Sequence, residues 1–232
     1  MDQKAIEQLI KLSDNAKKQQ LAGYFKSGEG QYGEGDKFLG ITVPKVREVA
    51  KQYAQIQLQD LKILLEHEYH EVRLLAGLIL VVKYEKSIDP KDQIVQFYLK
   101  YLKRFNNWDL IDLTCYKILG EQIVKSVEQR QILYKLIESD NLWEQRCAIV
   151  STIALIRENQ FDDIIKLSKL MLTHKHDLIH KAVGWMLREV GKRNKCVLTS
   201  FLDEFAGQMP RVMLRYSIEK YDSKERSKYM EM

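Results

Sequence analysis

The spacing of apolar residues constrains this chain more than any other feature. Apolar side chains recur three and four positions apart over long stretches, as in residues 74–82, 149–156 and 179–190. This spacing places them on one face of an α-helix, which has 3.6 residues per turn. No run alternates apolar and polar residues between hairpin turns, and the three prolines stand where helices are expected to begin. The sequence therefore predicts an all-α fold.

Four segments of the chain are weakly similar to one another. Each opens with polar or aromatic residues, turns apolar and closes with Lys, Arg or Gly, and successive segments start about 35 to 39 residues apart, as in helical-pair repeats. They are EVRLLAGLILVVKY from Glu71, WDLIDLTCYKILG from Trp108, WEQRCAIVSTIALIR from Trp143 and HKAVGWMLREVGKR from His180. Stacked helical pairs form an α-solenoid with a concave groove, which suits a polymer or another protein. An irregular helical bundle without a groove is the alternative.

Composition and charge indicate a soluble globular protein. The 37 Lys and Arg residues exceed the 32 Asp and Glu residues by five, which permits an anionic partner without requiring one. Residues 181–232 hold 11 of the basic and 7 of the acidic residues. A basic surface that follows phosphates and ordinary lysines at helix ends both remain open there. Three scattered cysteines exclude a disulfide scaffold, and no apolar run is long enough to cross a membrane. We therefore expect one cytoplasmic domain, residues 1–232.

Residues 27–44, SGEGQYGEGDKFLGITVP, interrupt the helical pattern with five of the eleven glycines. No GK[ST] follows them and no strand precedes them, so neither a P-loop nor a dinucleotide fingerprint is predicted. We expect a connecting loop whose glycines permit tight turns.

The segment NNWDLID from Asn106 brings an aromatic ring and a carboxylate onto one helical face. Trp108 and Asp112 are four residues apart, which is about one turn. Asn106 or Asn107 is a candidate helix cap, and Asp109 falls in the first turn. An indole ring beside a carboxylate is suited to hold a cation. Taken alone, however, such a pair is more often a packing anchor and a helix cap.

Two further residues follow at repeat spacing. Arg146 falls one repeat after Asp112, and Trp185 about one more repeat along the chain. In a solenoid these side chains would line the same groove, where an Arg can grip a phosphate or orient a carboxylate. The alternatives are a surface Arg paired with Glu144 or Asp140, and core packing for Trp185.

The five histidines carry little signal. His174, His176 and His180 have a spacing that can bind a metal, but no Cys or HExxH pattern supports such a site. His67 and His70 are expected to be solvated residues at helix ends. No Ser lies in a GxSxG motif and no Cys lies beside a suitable His, so a hydrolytic triad is not predicted.

Five segments together resemble the AlkD-like family of DNA alkylation repair glycosylases. They are YFKSGEGQYGEGDKFLGITVPKVR from Tyr24, NNWDLID from Asn106, WEQRCAIVST from Trp143, HKAVGWMLREVGKR from His180 and MPRVMLRYSIEK from Met209. They follow one another along the whole chain, and the glycine-rich loop combined with the WDxxD stretch is the most specific feature. The resemblance implies a solenoid of HEAT-like repeats that excises cationic N3- and N7-alkylated purines from double-stranded DNA during base excision repair.

The resemblance also implies roles for individual residues. Asp112 matches the catalytic Asp of the family, Trp108 and Trp185 match its two aromatic residues, and Arg146 matches its Arg. Basic residues towards the C-terminus are expected to hold phosphates in a sequence-independent way: Arg188, Lys192, Arg193 and Arg215. No metal and no cofactor are implied, and a monomer is the default expectation.

The chemistry of the substrate agrees with this set of residues. An alkylated purine is positively charged and already a good leaving group, so little general-acid help is needed. A carboxylate close to the sugar stabilises the oxocarbenium character that develops as the bond breaks. The alternative is a non-catalytic helical-repeat scaffold that binds DNA or a protein. A carboxylate in a phosphate-binding groove would weaken the DNA affinity of such a scaffold.

Overall fold

The computed structural model describes all residues, Met1–Met232, as helices joined by loops. The chain forms no β-strand, and one isolated parallel bridge joins Lys37 to Tyr69. The all-α prediction is therefore confirmed. None of the helices is both long and apolar enough to span a membrane.

The chain divides into two compact units, Met1–Ile118 and Leu119–Met232. The assignment of residues 1–232 to a single domain stays a prediction. The first unit contains α1 Asp2–Lys11, α2 Asn15–Tyr24, α3 Val43–Gln52, α4 Leu61–Leu65, α5 His70–Lys86, α6 Lys91–Lys100 and α7 Trp108–Asp112. The second unit contains α8 Glu121–Lys125, α9 Gln131–Ile137, α10 Leu142–Ser151, α11 Ile153–Arg157, α12 Asp162–Leu170, α13 Asp177–Arg193, α14 Lys195–Phe205, α15 Arg211–Ser217 and α16 Ser223–Met230.

Helix α5 is the central element of the first unit. Fifteen of its 17 residues are buried, and α3 and α4 pack against it. The run from Val72 to Val82 is apolar on nearly every side apart from Arg73, and a helix of this kind is stable only when other elements cover it all round. The burial extends to the first residue of the helix, His70, which is 1% exposed.

Helix α13 organises the second unit and packs most extensively against α15. Its apolar residues recur on one face, as the sequence predicts. Gly184 permits the close approach of the two helices, because a Cβ there would lie 2.5 Å from the carbonyl oxygen of Met213. An alanine at this position would push the helices apart.

The predicted repeat spacing appears in the positions of the helices. Helices α5, α7, α10 and α13 begin at His70, Trp108, Leu142 and Asp177, which are 38, 34 and 35 residues apart.

The expected helix starts are also confirmed. Pro44 is the second residue of α3, and Pro90 and Pro210 directly precede α6 and α15. No helix lies between Tyr24 and Val43, so the glycine-rich segment is a connecting loop as predicted.

Candidate active site

A cavity of about 340 Å³ opens beside α7 in the first unit. Trp108 and Asp112, the first and last residues of α7, both line it. Asn107 begins this helix, because its side-chain oxygen accepts the Trp108 N–H at 2.9 Å. One short helix therefore presents an indole ring and a carboxylate to the same space. The four-residue spacing of the pair predicts such an arrangement.

Aromatic rings form one wall of this cavity. Tyr24 is 62% exposed and meets Trp108 edge-on, with 5.7 Å between the ring centroids. The Phe25 ring is buried, with its centroid 5.3 Å from that of Trp108. Neither residue was singled out from the sequence. The available signal was the adjacent aromatic pair at the end of α2, directly before the glycine-rich loop.

His70 lies at the inner side of the cavity between two carboxylates. Its Nε2 is 2.9 Å from Asp109 Oδ2, and its Nδ1 is 3.3 Å from Asp36 Oδ2. The expectation that His70 is a solvated residue at a helix end is therefore wrong. His67 is half-buried and accepts the N–H of Tyr69.

The charge of His70 follows from this environment. Burial alone would lower the pKa of the imidazole, but Asp109 and Asp36 outweigh that effect and raise the pKa to about 9. At neutral pH the ring is an imidazolium that donates one hydrogen bond to each carboxylate.

Asp36 connects the glycine-rich loop to two other segments. Its Oδ1 accepts hydrogen bonds from Arg73 at 2.5 Å and from Asn106 at 3.1 Å. Burial favours the protonated acid, but His70 and Arg73 hold the pKa of Asp36 below its ordinary value. The loop is thereby joined to α5 and to the residues directly before α7.

Glu71 fixes the end of the same loop. Its buried carboxylate accepts three backbone N–H groups, from Leu39 at 2.9 Å, Gly40 at 2.8 Å and Ile41 at 3.1 Å. Gly40 has φ +84°, and a Cβ there would lie 2.1 Å from the carbonyl oxygen of Asp14. The path of the loop beside the cavity thus requires both an acidic residue on α5 and a glycine in the left-handed region.

The other two residues implied by the resemblance belong to the second unit. Arg146 is buried in α10 and donates a hydrogen bond from Nη1 to the carbonyl oxygen of Leu178 at 2.6 Å. The alternative of a surface Arg is therefore wrong. Trp185 is half-buried on α13, beside the fully buried Met186. A common groove for Trp108, Asp112, Arg146 and Trp185 stays a prediction.

The four basic residues expected to contact DNA differ in their surroundings. Arg188 pairs with Glu219, and Lys192 pairs with Glu189 at 2.6 Å. Two are exposed and make no ion pair, Arg193 and Arg215. Arg193 and Arg215 can therefore bind a phosphate without first breaking an ion pair within the protein.

The three histidines of the second unit use ring nitrogens in local hydrogen bonds. His174 Nε2 lies 3.0 Å from Gln145 Oε1, and His176 Nδ1 accepts the N–H of Leu178. His180 Nε2 lies 2.5 Å from the carbonyl oxygen of His174. No three His, Cys, Asp or Glu side chains converge in a way that could hold a metal ion.

A family model described as DNA alkylation repair enzyme matches residues 5–221. The chain belongs to this family. Among solved structures, it is similar to one described as "Predicted DNA alkylation repair enzyme from Enterococcus faecalis", with a TM-score of 0.74 and 19% sequence identity. That likeness covers 91% of this chain and 97% of the other, and at this identity it shows a common fold. No curated protein matches the chain.

Membership of the family supports a role in DNA alkylation repair. Within the first unit, the structure brings Trp108 and Asp112 to one cavity and adds residues that the sequence did not indicate. The most important additions are His70, Glu71 and Asp36, because they hold the elements that carry the site. The contacts of these three residues described above join positions 30 to 70 residues apart and have no local sequence signature.

Proposed function

We propose that this protein is a DNA glycosylase of base excision repair. Its substrates are cationic N3- and N7-alkylated purines in double-stranded DNA, and its reaction is hydrolysis of the N-glycosidic bond. The observation that carries the proposal is the cavity at which α7 presents both Trp108 and Asp112. Membership of the DNA alkylation repair enzyme family supports it.

Asp112 is the carboxylate assigned to the chemistry. It is the last residue of α7 and lines the cavity together with Trp108. As the bond to a cationic purine breaks, the leaving base becomes neutral and positive charge passes to the sugar. A carboxylate at the cavity stabilises that charge and can also hold the attacking water and accept its proton.

The proposal also assigns roles to aromatic and basic residues. Trp108 and Tyr24 form an aromatic surface against which a deoxyribose or a cationic purine can pack. Trp185 is assigned a second aromatic surface, and Arg146 a role in orienting the phosphate or the carboxylate. Contacts of Arg188, Lys192, Arg193 and Arg215 with phosphates would be independent of sequence and sensitive to salt.

The test is release of free base from duplex DNA that carries N7-methylguanine or N3-methyladenine, with EDTA present. We expect Asp112→Asn to lower the single-turnover rate by about two to three orders of magnitude, a loss typical of one preorganised electrostatic group. Duplex binding should be retained. The matched control is Asp140→Asn, which makes the same change at an exposed carboxylate of the second unit and should keep the rate.

Two results would contradict the proposal. Full activity of Asp112→Asn would show that Asp112 is not a catalytic residue. If the unmodified protein released no base from either substrate but bound duplex DNA in a salt-dependent way, the scaffold alternative would replace the glycosylase.

A further inference from the structure

His70 lies where three segments of the first unit meet. It is the first residue of α5, it contacts Asp109 in the first turn of α7, and it contacts Asp36 in the glycine-rich loop. The rings of Phe25 and Phe38 stack on each other at 5.4 Å, and their centroids lie 4.8 Å and 5.0 Å from that of the imidazole. The imidazole is 1% exposed, so water cannot replace any of these contacts.

We propose that His70 is a positioning residue of the site, which as an imidazolium holds α7, and with it Trp108 and Asp112, against the glycine-rich loop. The consequence for base release rests on the proposed glycosylase function. The consequence for the position of Trp108 does not, and it can be measured separately.

The length of α7 explains why it needs an external anchor. The helix has five residues, and helices this short are not stable on their own. Asp109 is its second residue. Oδ1 of this carboxylate accepts the Leu110 N–H, and Oδ2 accepts a hydrogen bond from His70. Because Asp109 lies one residue after Trp108 and three before Asp112, a shift of this anchor moves both site residues. A misplacement of about 1 Å can lower a rate about a hundredfold.

The hydrogen-bonding capacity of imidazole explains why the anchor depends on charge. An imidazolium donates from both ring nitrogens and therefore satisfies Asp36 and Asp109 together. The neutral ring has one N–H, so one carboxylate would face a lone pair instead of a donor. Loss of the proton thus breaks one of the two links and leaves a repulsive contact in a buried place.

Charged groups near His70 lie on three elements. The loop contributes Asp36 and α7 contributes Asp109, while α5 itself contributes Arg73, which bonds Asp36, and Glu71, which bonds the backbone of the loop. The two carboxylates raise the pKa of His70 to about 9, against the opposing effect of burial.

Two more ionisable groups line the same cavity as His70, namely Asp112 and Tyr24. Because the Tyr24 ring meets Trp108 edge-on, Tyr24→Phe serves as a control in every titration.

The first experiment measures the position of Trp108 by fluorine NMR of the full-length protein labelled with 5-fluorotryptophan. Trp108→Phe assigns the signal among the three tryptophans. We expect the Trp108 signal to titrate with a midpoint near pH 9, also in Tyr24→Phe, and the titration to vanish in His70→Gln. Asp109→Asn should lower the midpoint by about one unit or more, because it removes one facing charge.

This experiment can overturn the proposal without any measurement of activity. A Trp108 signal that does not titrate between pH 7 and 10, or that titrates equally in His70→Gln, would show that His70 does not hold α7. Should His70→Gln fail to fold, Asp109→Asn decides the matter, because an unchanged midpoint in that variant contradicts the proposal.

The second experiment measures single-turnover release of N3-methyladenine at saturating enzyme, with spontaneous loss subtracted at each pH. We expect His70→Gln to lower the rate roughly ten- to hundredfold at pH 7.5 while the Kd for duplex DNA is unchanged. We expect the rate of the unmodified protein to decline above pH 9, and this decline should be absent in His70→Gln. His67→Gln is the matched control, since His67 lies in the same unit and touches neither carboxylate, and it should behave like the unmodified protein.

The outcomes separate the two proposals. If the unmodified protein releases no base at any pH, the glycosylase function fails and the NMR titration still decides the role of His70. If base is released but His70→Gln keeps the full rate and the alkaline decline, the positioning role fails and the glycosylase function stands.

Discussion

Replacing Glu71 by Gln tests how one carboxylate fixes the loop beside the cavity. Glu71 Oε1 accepts the N–H groups of Gly40 and Ile41, and Oε2 accepts that of Leu39. A glutamine in the same rotamer keeps one acceptor oxygen for two of these bonds. Its NH₂ group would point at the N–H of Leu39, so that a donor faces a donor in a buried place.

The expected loss of stability follows from these three bonds. An unsatisfied buried N–H costs about 1 to 3 kcal/mol, and each of the two remaining bonds loses about 1 kcal/mol when its acceptor becomes neutral. The neutral side chain is cheaper to bury than the carboxylate, which offsets part of the loss. We therefore expect Glu71→Gln to lower the free energy of unfolding by about 2 kcal/mol.

The assay combines urea unfolding at pH 7 with residue-resolved amide hydrogen exchange. The Leu39, Gly40 and Ile41 amides should exchange faster in Glu71→Gln. Glu68→Gln is the matched control, because Glu68 is an exposed residue whose ion pair with Lys37 should contribute nothing measurable. A loss below about 0.5 kcal/mol, with unchanged exchange at these three amides, would refute the reasoning.

Three further predictions concern charge, backbone and DNA. The pKa of His70 is raised in the folded protein, so its protonation should contribute about 3 kcal/mol to the free energy of unfolding. This contribution should be fully present below pH 6.5 and lost as the pH rises through about 9, which the urea midpoint between pH 6 and 10 measures. Gly40→Ala should destabilise by about 3 kcal/mol in the same assay, because its Cβ would strike the Asp14 carbonyl. Gly35→Ala, with a similar φ and open space around it, should cost about 1 kcal/mol. Arg193→Gln should reduce the slope of log K for duplex DNA against log salt concentration by about one.

The helices and the loop were predictable because their signals are local. Apolar spacing identifies α5 and α13, and the glycine cluster identifies the break between α2 and α3. The shared face of Trp108 and Asp112 likewise needs only four residues of sequence. Each of these inferences depends on neighbours along the chain.

The position of His70 was not predictable from its neighbours along the chain. At the start of a helix it resembles a solvated polar residue, and its partners Asp36 and Asp109 are 34 and 39 residues away. One signal could have corrected the expectation. The helix that follows is apolar on nearly all sides, and the first turn of a helix that is covered all round is covered as well. The same reasoning applies to Arg146, which lies among buried residues of α10.

The place of His70 at the start of α5 also explains why two carboxylates surround it. Unpaired N–H groups make the N-terminus of a helix positive, which disfavours a cation at the first position. Burial disfavours the imidazolium further, so one carboxylate would have to outweigh two opposing effects. With Asp36 and Asp109 both present, the ring remains charged. It bridges the glycine-rich loop and α7, between which there is no backbone hydrogen bond. Removing either carboxylate therefore does more than delete one hydrogen bond, because it also lowers the pKa of His70 and weakens the contact that remains.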